Sequence, residues 1–287
     1  MRTRVLSGIV LAVILIGTWC LMFTPVIDIL FCLLAAAACY ELTNVAGVKN
    51  VALRGIAIAF SAVLPLLIVY VSNVTIIEIA VILYVILLVV LTVANFSRTT
   101  ITFPELAVTV YASLVIPAAF SSIGLISDLY QKYPESITRN DCRMLLWIAV
   151  AAALFTDVFA YFVGVKFGKH KMAPNLSPKK SWEGAIGGVA CNLLFMLFCL
   201  FLFEKVIAKQ AFFMPVWFYC IMIVFISITS MFGDLMASLI KRYYNVKDYS
   251  NLIPGHGGIM DRFDSVLLAS PTMYVLILLY GTVVAGV

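Results

Sequence analysis

Charged residues are scarce in this chain, and so are polar stretches long enough to form a water-soluble domain. Only 11% of the 287 residues are Asp, Glu, Lys or Arg, whereas 64% are hydrophobic. The longest polar connections cover residues 126–143, 166–183 and 234–265. A soluble globular protein is therefore excluded, and any chemistry must lie where apolar segments meet these connections.

Histidine and closely spaced cysteine pairs are scarce as well. The chain has two His and seven Cys, and the cysteines are scattered without the spacing that binds zinc. We interpret the cysteines as small apolar packing residues.

Long hydrophobic runs, by contrast, are abundant. A helix of about 20 apolar residues crosses a hydrocarbon core about 30 Å thick, and backbone groups in lipid must be paired within their own segment. The sequence therefore predicts an all-α integral membrane protein with nine transmembrane helices. The predicted spans are residues 5–23, 26–44, 52–71, 75–95, 105–126, 144–165, 184–203, 214–233 and 266–286. We expect the first span to be retained, because it leads directly into the second.

The distribution of Lys and Arg predicts the orientation. Cytoplasmic loops of membrane proteins carry an excess of these residues. With the N-terminus in the cytoplasm, all but five of the 19 Lys and Arg residues fall on the inner side. The five on the outer side are Lys132, Arg139, Arg143, Lys205 and Lys209. We therefore expect the C-terminus outside and the 166–183 and 234–265 loops in the cytoplasm.

Asp157 lies within the sixth predicted span. An ionisable side chain in a membrane span is costly and is a functional candidate by default. Tyr161, one helical turn later, would share its face. The alternative is a single hydrogen-bonded polar residue between helices.

The segment "NLSPKKSWEGAIGGV", Asn175 to Val189, leads into the seventh span. Lys179 and Lys180 place two ammonium groups at the membrane surface, and Trp182 suits the interface. Its glycines allow close helix approach or an exposed helix N-terminus for an anion. Taken alone, the segment could equally be an ordinary juxtamembrane anchor.

The most informative segment is "SLIKRYYNVKDYSNLIPGHGGIMDRFD", Ser238 to Asp264, which follows Asp234 closely. Its carboxylates suit Mg²⁺, which prefers a few carboxylates together with substrate phosphates. Its Lys and Arg residues suit phosphate oxygens. Glycines beside His256 allow backbone N–H groups to approach an anion. This inventory indicates metal-assisted phosphoryl or nucleotidyl transfer.

His256 has two interpretations that the sequence leaves open, a base or metal ligand and a hydrogen-bonding loop residue. The sequence offers no Ser-His-Asp or Cys-His arrangement. That absence is no objection, because a phosphate monoester, with a second pKa of about 6, is already anionic near neutral pH and needs little deprotonation as a nucleophile.

The Ser238–Asp264 segment resembles the signature of the phosphatidate cytidylyltransferase family, also called CDP-diacylglycerol synthases. The matching positions are Ser238, Lys241, Arg242, Lys247, Asp248, His256, Gly257, Gly258, Asp261, Arg262 and Asp264. "SPKKSWEG" is similar to a second family motif, with Ser181 where Thr is commoner, and "DVFAYFVGVKFGKHK" from Asp157 to a third. The resemblance covers the C-terminal half, since residues 1–140 match only in being apolar.

The resemblance implies the reaction of CTP with phosphatidate to give CDP-diacylglycerol and pyrophosphate. It implies Mg²⁺ with a second cation, K⁺ or Mg²⁺, and a homodimeric multi-span bundle with a polar funnel open to the cytoplasm. Phosphatidate would arrive from the inner leaflet and CTP from water, and no nucleic acid is expected as a partner. The expected location is a bacterial cytoplasmic membrane.

Roles for single residues follow from the same resemblance and from their chemistry. Catalytic roles are expected for Asp234, Lys241, His256, Asp261 and Arg262. Substrate binding is expected for Ser177, Lys179, Lys180, Ser238, Arg242, Lys247, Gly257 and Gly258. The metal is expected at Asp234 and Asp261, with Asp157, Asp248 and Asp264 as further candidates.

Residues 1–140 are predicted to form a transmembrane scaffold and residues 141–287 the catalytic region. Three alternatives stay open at this point. A related lipid kinase or nucleotidyltransferase would use the same inventory on another lipid. An ion-coupled transporter would place its polar groups near the midplane between repeats, and a structural protein with a basic lipid-binding loop would leave the aspartates unexplained.

Overall fold

The computed structural model describes residues 17, 20–94, 101–208, 213–253, 255 and 257–284. The chain divides into two compact units. The first unit comprises the described residues up to Leu125 together with Tyr243–Arg262, and the second comprises Ile126–Arg242 and the described residues from Phe263 onward. The chain thus returns to the first unit late, within the signature segment. The predicted functional division at residue 140 stays a prediction.

The first unit is built from apolar helices whose starts are set by local capping. Asn50 accepts a hydrogen bond from the Leu53 N–H at 3.0 Å, and Thr102 with Glu105 forms a capping box, both of which satisfy N–H groups at a helix start. The helices are α1 (Pro25–Val45), α2 (Val51–Tyr70), α3 (Val74–Ala94) and α4 (Phe103–Ser127), which contains a π-helical turn at Tyr111–Val115 and leaves the unit after Leu125.

Polar contacts and aromatic stacking join these helices. The Ser61 hydroxyl donates to the Ala35 carbonyl at 3.0 Å, linking α2 to α1. The rings of Phe60 and Tyr84 are parallel with centroids 3.8 Å apart, and the Tyr84 hydroxyl donates to Ser113 Oγ at 2.5 Å. Buried hydroxyl groups are therefore paired between helices, as a low-dielectric interior requires.

The second unit contains long helices and one small hairpin. Its elements are α5 (Leu129–Lys132), α6 (Arg139–Phe167), β1 (Lys171–Ala173), β2 (Ser177–Ser181), α7 (Trp182–Leu202), α8 (Val216–Tyr243, in this unit to Arg242) and α10 (Val266–Leu279). The short helix α9 (Met260–Phe263) lies where the chain passes from the first unit to the second. The strands pair antiparallel, and the Ser181 hydroxyl caps α7 by accepting from the Gly184 N–H at 3.2 Å.

Small residues allow α6 and α7 to pack closely. A Cβ on Gly188 would lie 2.8 Å from the Ala160 Cβ, and one on Gly184 would lie 2.7 Å from the Ala160 carbonyl oxygen. This is the close approach that glycines at membrane helix interfaces permit. Further along, the Asn192 amide of α7 donates to Thr156 on α6 and to Ser227 on α8, each at 2.9 Å.

Seven of the nine predicted spans are confirmed as long apolar helices. Each of the seven helices that are long and apolar enough to cross a membrane, among the described residues, coincides with one of the second to eighth predicted spans. The ninth corresponds to a shorter apolar helix, Val266–Thr282. The first predicted span, 5–23, lies almost wholly outside the described residues.

Two predicted loops contain regular structure. The connection predicted to begin at residue 234 is helical up to Tyr243, because α8 continues beyond its apolar run. The connection at 166–183 contains the β1–β2 hairpin, with Ser177 and Pro178 at the start of β2. The described residues therefore contain a small two-stranded sheet that the all-α prediction did not include.

Candidate active site

A polar stripe runs along α8. Ser227, Ser230, Asp234, Ser238 and Lys241 follow one another at intervals of three or four residues, the spacing that places side chains on one face of a helix. Ser227 and Ser230 are fully buried. The predicted site residues Asp234, Ser238 and Lys241 therefore share one helical face. The sequence had placed them in an irregular connection, which would not align them.

Three aspartates of the second unit lie near one another. Asp157 belongs to α6, Asp234 to α8, and Asp264 lies just before α10. Ser265 joins two of them, because its hydroxyl donates to Asp157 Oδ2 at 2.9 Å and its N–H donates to Asp264 Oδ1 at 2.8 Å. Gly233 lets α8 approach this turn, since a Cβ there would overlap the Asp264 carbonyl oxygen.

The surroundings of Asp264 disfavour its ionisation. Burial, followed by the negative charges of Asp234 and Asp157, raises the pKa of Asp264 to about 6, while Lys241 opposes the shift. Like charges gathered out of water disfavour ionisation unless a cation compensates them. A nearby cation would therefore stabilise the ionised form of these carboxylates.

Lys180 supplies part of that charge. Its Nζ lies 2.5 Å from Asp234 Oδ2, and the lysine is mostly shielded from solvent. The ammonium atom itself is buried and makes no well-aligned hydrogen bond within the described residues. A buried ammonium with unused donors is suited to an anionic oxygen such as that of a phosphate.

Two further cations lie near the end of α8. Lys241 completes the polar stripe, and the Arg242 guanidinium contacts the Leu176 carbonyl in the hairpin turn at 3.5 Å, the long limit of a hydrogen bond. Lys179 is exposed on β2, beside the partly buried Lys180. The second predicted motif therefore places one lysine at the carboxylates and one in solvent.

The carboxylate cluster suits a hard cation in chemistry but is not arranged as a finished cage. Among the described residues, no group of three or more His, Cys, Asp or Glu side chains is placed to hold a metal ion. Mg²⁺ rarely uses such a cage, since it retains waters and takes one or two carboxylates with substrate phosphates. The donor set of Asp157, Asp234 and Asp264 fits that mode of binding.

The signature segment in the first unit is organised by Asp261. Its Oδ2 accepts hydrogen bonds from the Tyr249 N–H at 2.8 Å and the Gly258 N–H at 3.0 Å. The Ile253 N–H donates to the Gly257 carbonyl at 2.9 Å, and Gly257 has a φ of 82°, which favours glycine. The Gly258 N–H thus serves the loop itself, whereas substrate binding by Gly257 and Gly258 stays a prediction.

A second carboxylate that contacts this loop, Glu41 of α1, was not predicted as a site residue. This α1 residue is 1% exposed and accepts hydrogen bonds from the Ser250 hydroxyl at 2.6 Å, the Ile259 N–H at 3.0 Å and the Met260 N–H at 2.9 Å. The one available signal was an ionisable residue near the end of an apolar span, the same signal that indicated Asp157.

The structure brings the remaining predicted residues into no defined cluster among the described residues. Lys247, Asp248 and Arg262 are exposed, and Ser177 and Ser238 are partly exposed. His256 lies outside the described residues, so both of its interpretations stay open. Asp261 belongs to the first unit, whereas Asp157, Asp234 and Asp264 belong to the second.

Comparison with known proteins agrees with the signature. The family model described as "Cytidylyltransferase family" matches residues 2–280. The phosphatidate cytidylyltransferase of Bacillus subtilis is 31% identical over 284 residues, which cover 98% of this chain and 99% of that protein. The phosphatidate cytidylyltransferases of Staphylococcus haemolyticus and Staphylococcus aureus (strain COL) are each 37% identical over 141 residues, about half of either protein. The match of the family model along nearly the whole chain confirms the predicted resemblance, and this chain belongs to the cytidylyltransferase family.

Proposed function

We propose that the chain is a phosphatidate cytidylyltransferase, which converts CTP and phosphatidate to CDP-diacylglycerol and pyrophosphate. The observation that carries the proposal is the full-length similarity to the Bacillus subtilis enzyme of that name. The carboxylates and cations of the second unit support it, because phosphoryl and nucleotidyl transfer depends on positioning and charge neutralisation.

In the proposed reaction an ionised phosphate oxygen of phosphatidate attacks the α-phosphorus of CTP. The new bond joins that oxygen to the α-phosphorus, the bond from the α-phosphorus to the bridging oxygen breaks, and pyrophosphate leaves with the electron pair. No general base is required, because the nucleophile has already lost its proton near neutral pH. Lys180 and Lys241 neutralise phosphate oxygens, and Arg242, Lys247 and Arg262 are proposed to assist.

Mg²⁺ would neutralise phosphate charge and polarise the α-phosphorus when bound. We assign its binding to Asp234 and Asp264, with Asp157 supporting them through Ser265. Asp261 is assigned by the signature alone, as is Asp248. A second cation, K⁺ or Mg²⁺, is also proposed.

The finer topology belongs to the same proposal. Nine spans with a cytoplasmic N-terminus place the end of α8 and the hairpin on the inner side, where CTP is found. The excess of Lys and Arg on that side supports this orientation. We propose a location in a bacterial inner membrane, lateral entry of phosphatidate from the inner leaflet, and a homodimer.

The test follows the α- and γ-phosphates of labelled CTP into the products. Purified protein in detergent, with Mg²⁺ and dioleoyl phosphatidate, receives CTP labelled at either the α- or the γ-phosphate. The proposal predicts α-label in a liponucleotide and γ-label in pyrophosphate. A lipid kinase would instead place γ-label in the lipid when diacylglycerol is supplied, and a transporter or structural protein would release neither product. Either result would overturn the proposal.

A further inference from the structure

Glu41 connects the N-terminal helices to the signature segment within the first unit. It lies near the C-terminal end of α1, and Ser250, Ile259 and Met260 donate to its carboxylate. The last two donors are backbone N–H groups at the start of α9. An anion at that position satisfies N–H groups that a helix start leaves unpaired.

Two carboxylates therefore hold described residues between Tyr249 and Asp261. Asp261 accepts from Tyr249 and Gly258 inside the segment, and Glu41 holds it from outside. Ser250 extends the network, because its hydroxyl donates to Glu41 and accepts from the Leu252 N–H at 3.1 Å.

The close packing of the Glu41 carboxylate against Gly258 also supports this contact. A Cβ on Gly258 would lie 2.5 Å from Glu41 Oε2 and 2.6 Å from Oε1. Glu41 thus occupies the volume that any other residue at 258 would fill. A side chain at 258 would have to displace the Glu41 carboxylate from its three donors. Backbone conformation alone does not demand glycine, since Gly258 does not have a positive φ.

We propose that Glu41 is a positioning residue for cytidylyl transfer, an assignment that rests on the proposed function. Its carboxylate holds Ser250 and the N–H groups of Ile259 and Met260. It thereby fixes where the next residues, Asp261 and Arg262, are presented. A carboxylate has acceptors only, which matches three converging donors, whereas the amide of Gln would place a donor against an N–H group. Misplacing groups that align a substrate costs rate even when those groups are intact.

The experiment compares Glu41→Gln with Glu78→Gln, the same change at an exposed residue of α3. Limited trypsin digestion in detergent, well below the melting temperature, is followed by mass spectrometry at the exposed Lys247. We expect cleavage there to be at least about tenfold faster in Glu41→Gln, because one charge-assisted hydrogen bond accounts for such a factor. Cleavage at sites other than Lys247 and Arg262 should match that in Glu78→Gln.

Kinetics provide the second readout. In Glu41→Gln we expect kcat to fall at least about tenfold while the KM for phosphatidate stays unchanged, as expected for misalignment of the reacting groups. Gly258→Ala should also lose activity, but it should cost far less in a Glu41→Ala background, where the overlapping carboxylate is gone. Such non-additivity reports direct coupling between the two positions.

Wild-type cleavage and wild-type kcat in Glu41→Gln would overturn the inference. Faster cleavage at all sites with a lower melting temperature would also overturn it, because Glu41 would then serve only global stability. An inactive wild-type protein would instead overturn the proposed function, and the cleavage pattern would still decide whether Glu41 holds the loop.

Discussion

At the scale of single residues, the pairing of Lys180 with Asp234 explains how carboxylates can meet in an apolar unit. Asp157, Asp234 and Asp264 repel one another, and the ammonium of Lys180 lies at the second of them. The same ammonium retains donors for a phosphate. Lys180 therefore has two expected roles, in charge balance and in substrate binding.

Replacing Lys180 tests these roles. Lys180→Met should lower the rate of cytidylyl transfer at least about 100-fold, the size of effect seen when one preorganised donor to a developing charge is removed. Lys171→Met, at an exposed lysine of β1, is the control and should retain the wild-type rate. The measurement is formation of liponucleotide from labelled CTP. A fully active Lys180→Met variant would remove Lys180 from the site.

Asp264 predicts a dependence of stability on pH. Its folded-state pKa of about 6 lies above the ordinary carboxyl value of 3.8, so ionisation destabilises the fold progressively as the pH rises from about 4 through 6. In EDTA, Asp264→Asn should therefore melt a few degrees higher than wild type at pH 7.5 and nearly equally at pH 3.5, below the ordinary carboxyl pKa. Thermal unfolding in detergent measures this difference, and an equal gap at both pH values would contradict it.

The sequence indicated some of these residues and not others, for a physical reason. Asp157 and Asp234 were identifiable because an acid within or beside an apolar span is costly. Glu41 carries the same cost, but its partner Ser250 is 209 residues away. No local pattern encodes such a contact, so its role became visible only in the folded chain.

At the scale of elements, the apolar runs located the long helices well because membrane thickness sets their length. The predicted end of the eighth span, residue 233, was wrong for the helix. The helix α8 continues to Tyr243 with a polar stripe after the apolar run stops. The β1–β2 hairpin was missed because it depends on pairing across a short turn rather than on hydrophobic periodicity. Both elements carry predicted site residues.

The close contact of α6 with α7 predicts that a Gly→Ala substitution there lowers stability, whereas a control Gly→Ala substitution in open space raises it. Gly188→Ala should destabilise the protein by about 1–3 kcal/mol, because its Cβ would meet the backbone of Ala160 at 3.0 Å. Gly55→Ala in α2 meets nothing within 4 Å and should stabilise by about 0.5–1 kcal/mol through helix propensity. Melting temperatures in one detergent compare them. A stable Gly188→Ala variant would contradict the packing.

At the scale of the whole molecule, the signature is divided between the two units. Tyr243–Arg262 belongs to the first unit, whereas Ser238 to Arg242 and the residues after Arg262 belong to the second. The N-terminal helices therefore contribute directly to the signature segment, through Glu41. The scaffold role of residues 1–140 stays a prediction.

The proposed topology can be tested in intact cells. In a cysteine-free background, Lys132→Cys should react with a membrane-impermeant maleimide from outside, and Lys247→Cys should react only after the membrane is opened. Both lysines are exposed, so reactivity reports sidedness rather than burial. Labelling of both positions from outside, or of Lys247→Cys alone, would contradict a cytoplasmic N-terminus with nine spans.

The central claim is that the carboxylates of the second unit serve magnesium-dependent cytidylyl transfer, and Asp234→Asn tests it most directly. The measurement is the rate of liponucleotide formation across a Mg²⁺ titration, paired with Mn²⁺ binding followed by electron paramagnetic resonance. Glu135→Gln, at an exposed acid of the same unit, is the control. The account predicts that Asp234→Asn loses at least about 1,000-fold in rate, beyond the effect of one neutral donor, and binds Mn²⁺ more weakly. Wild-type turnover with an unchanged Mg²⁺ requirement would contradict it.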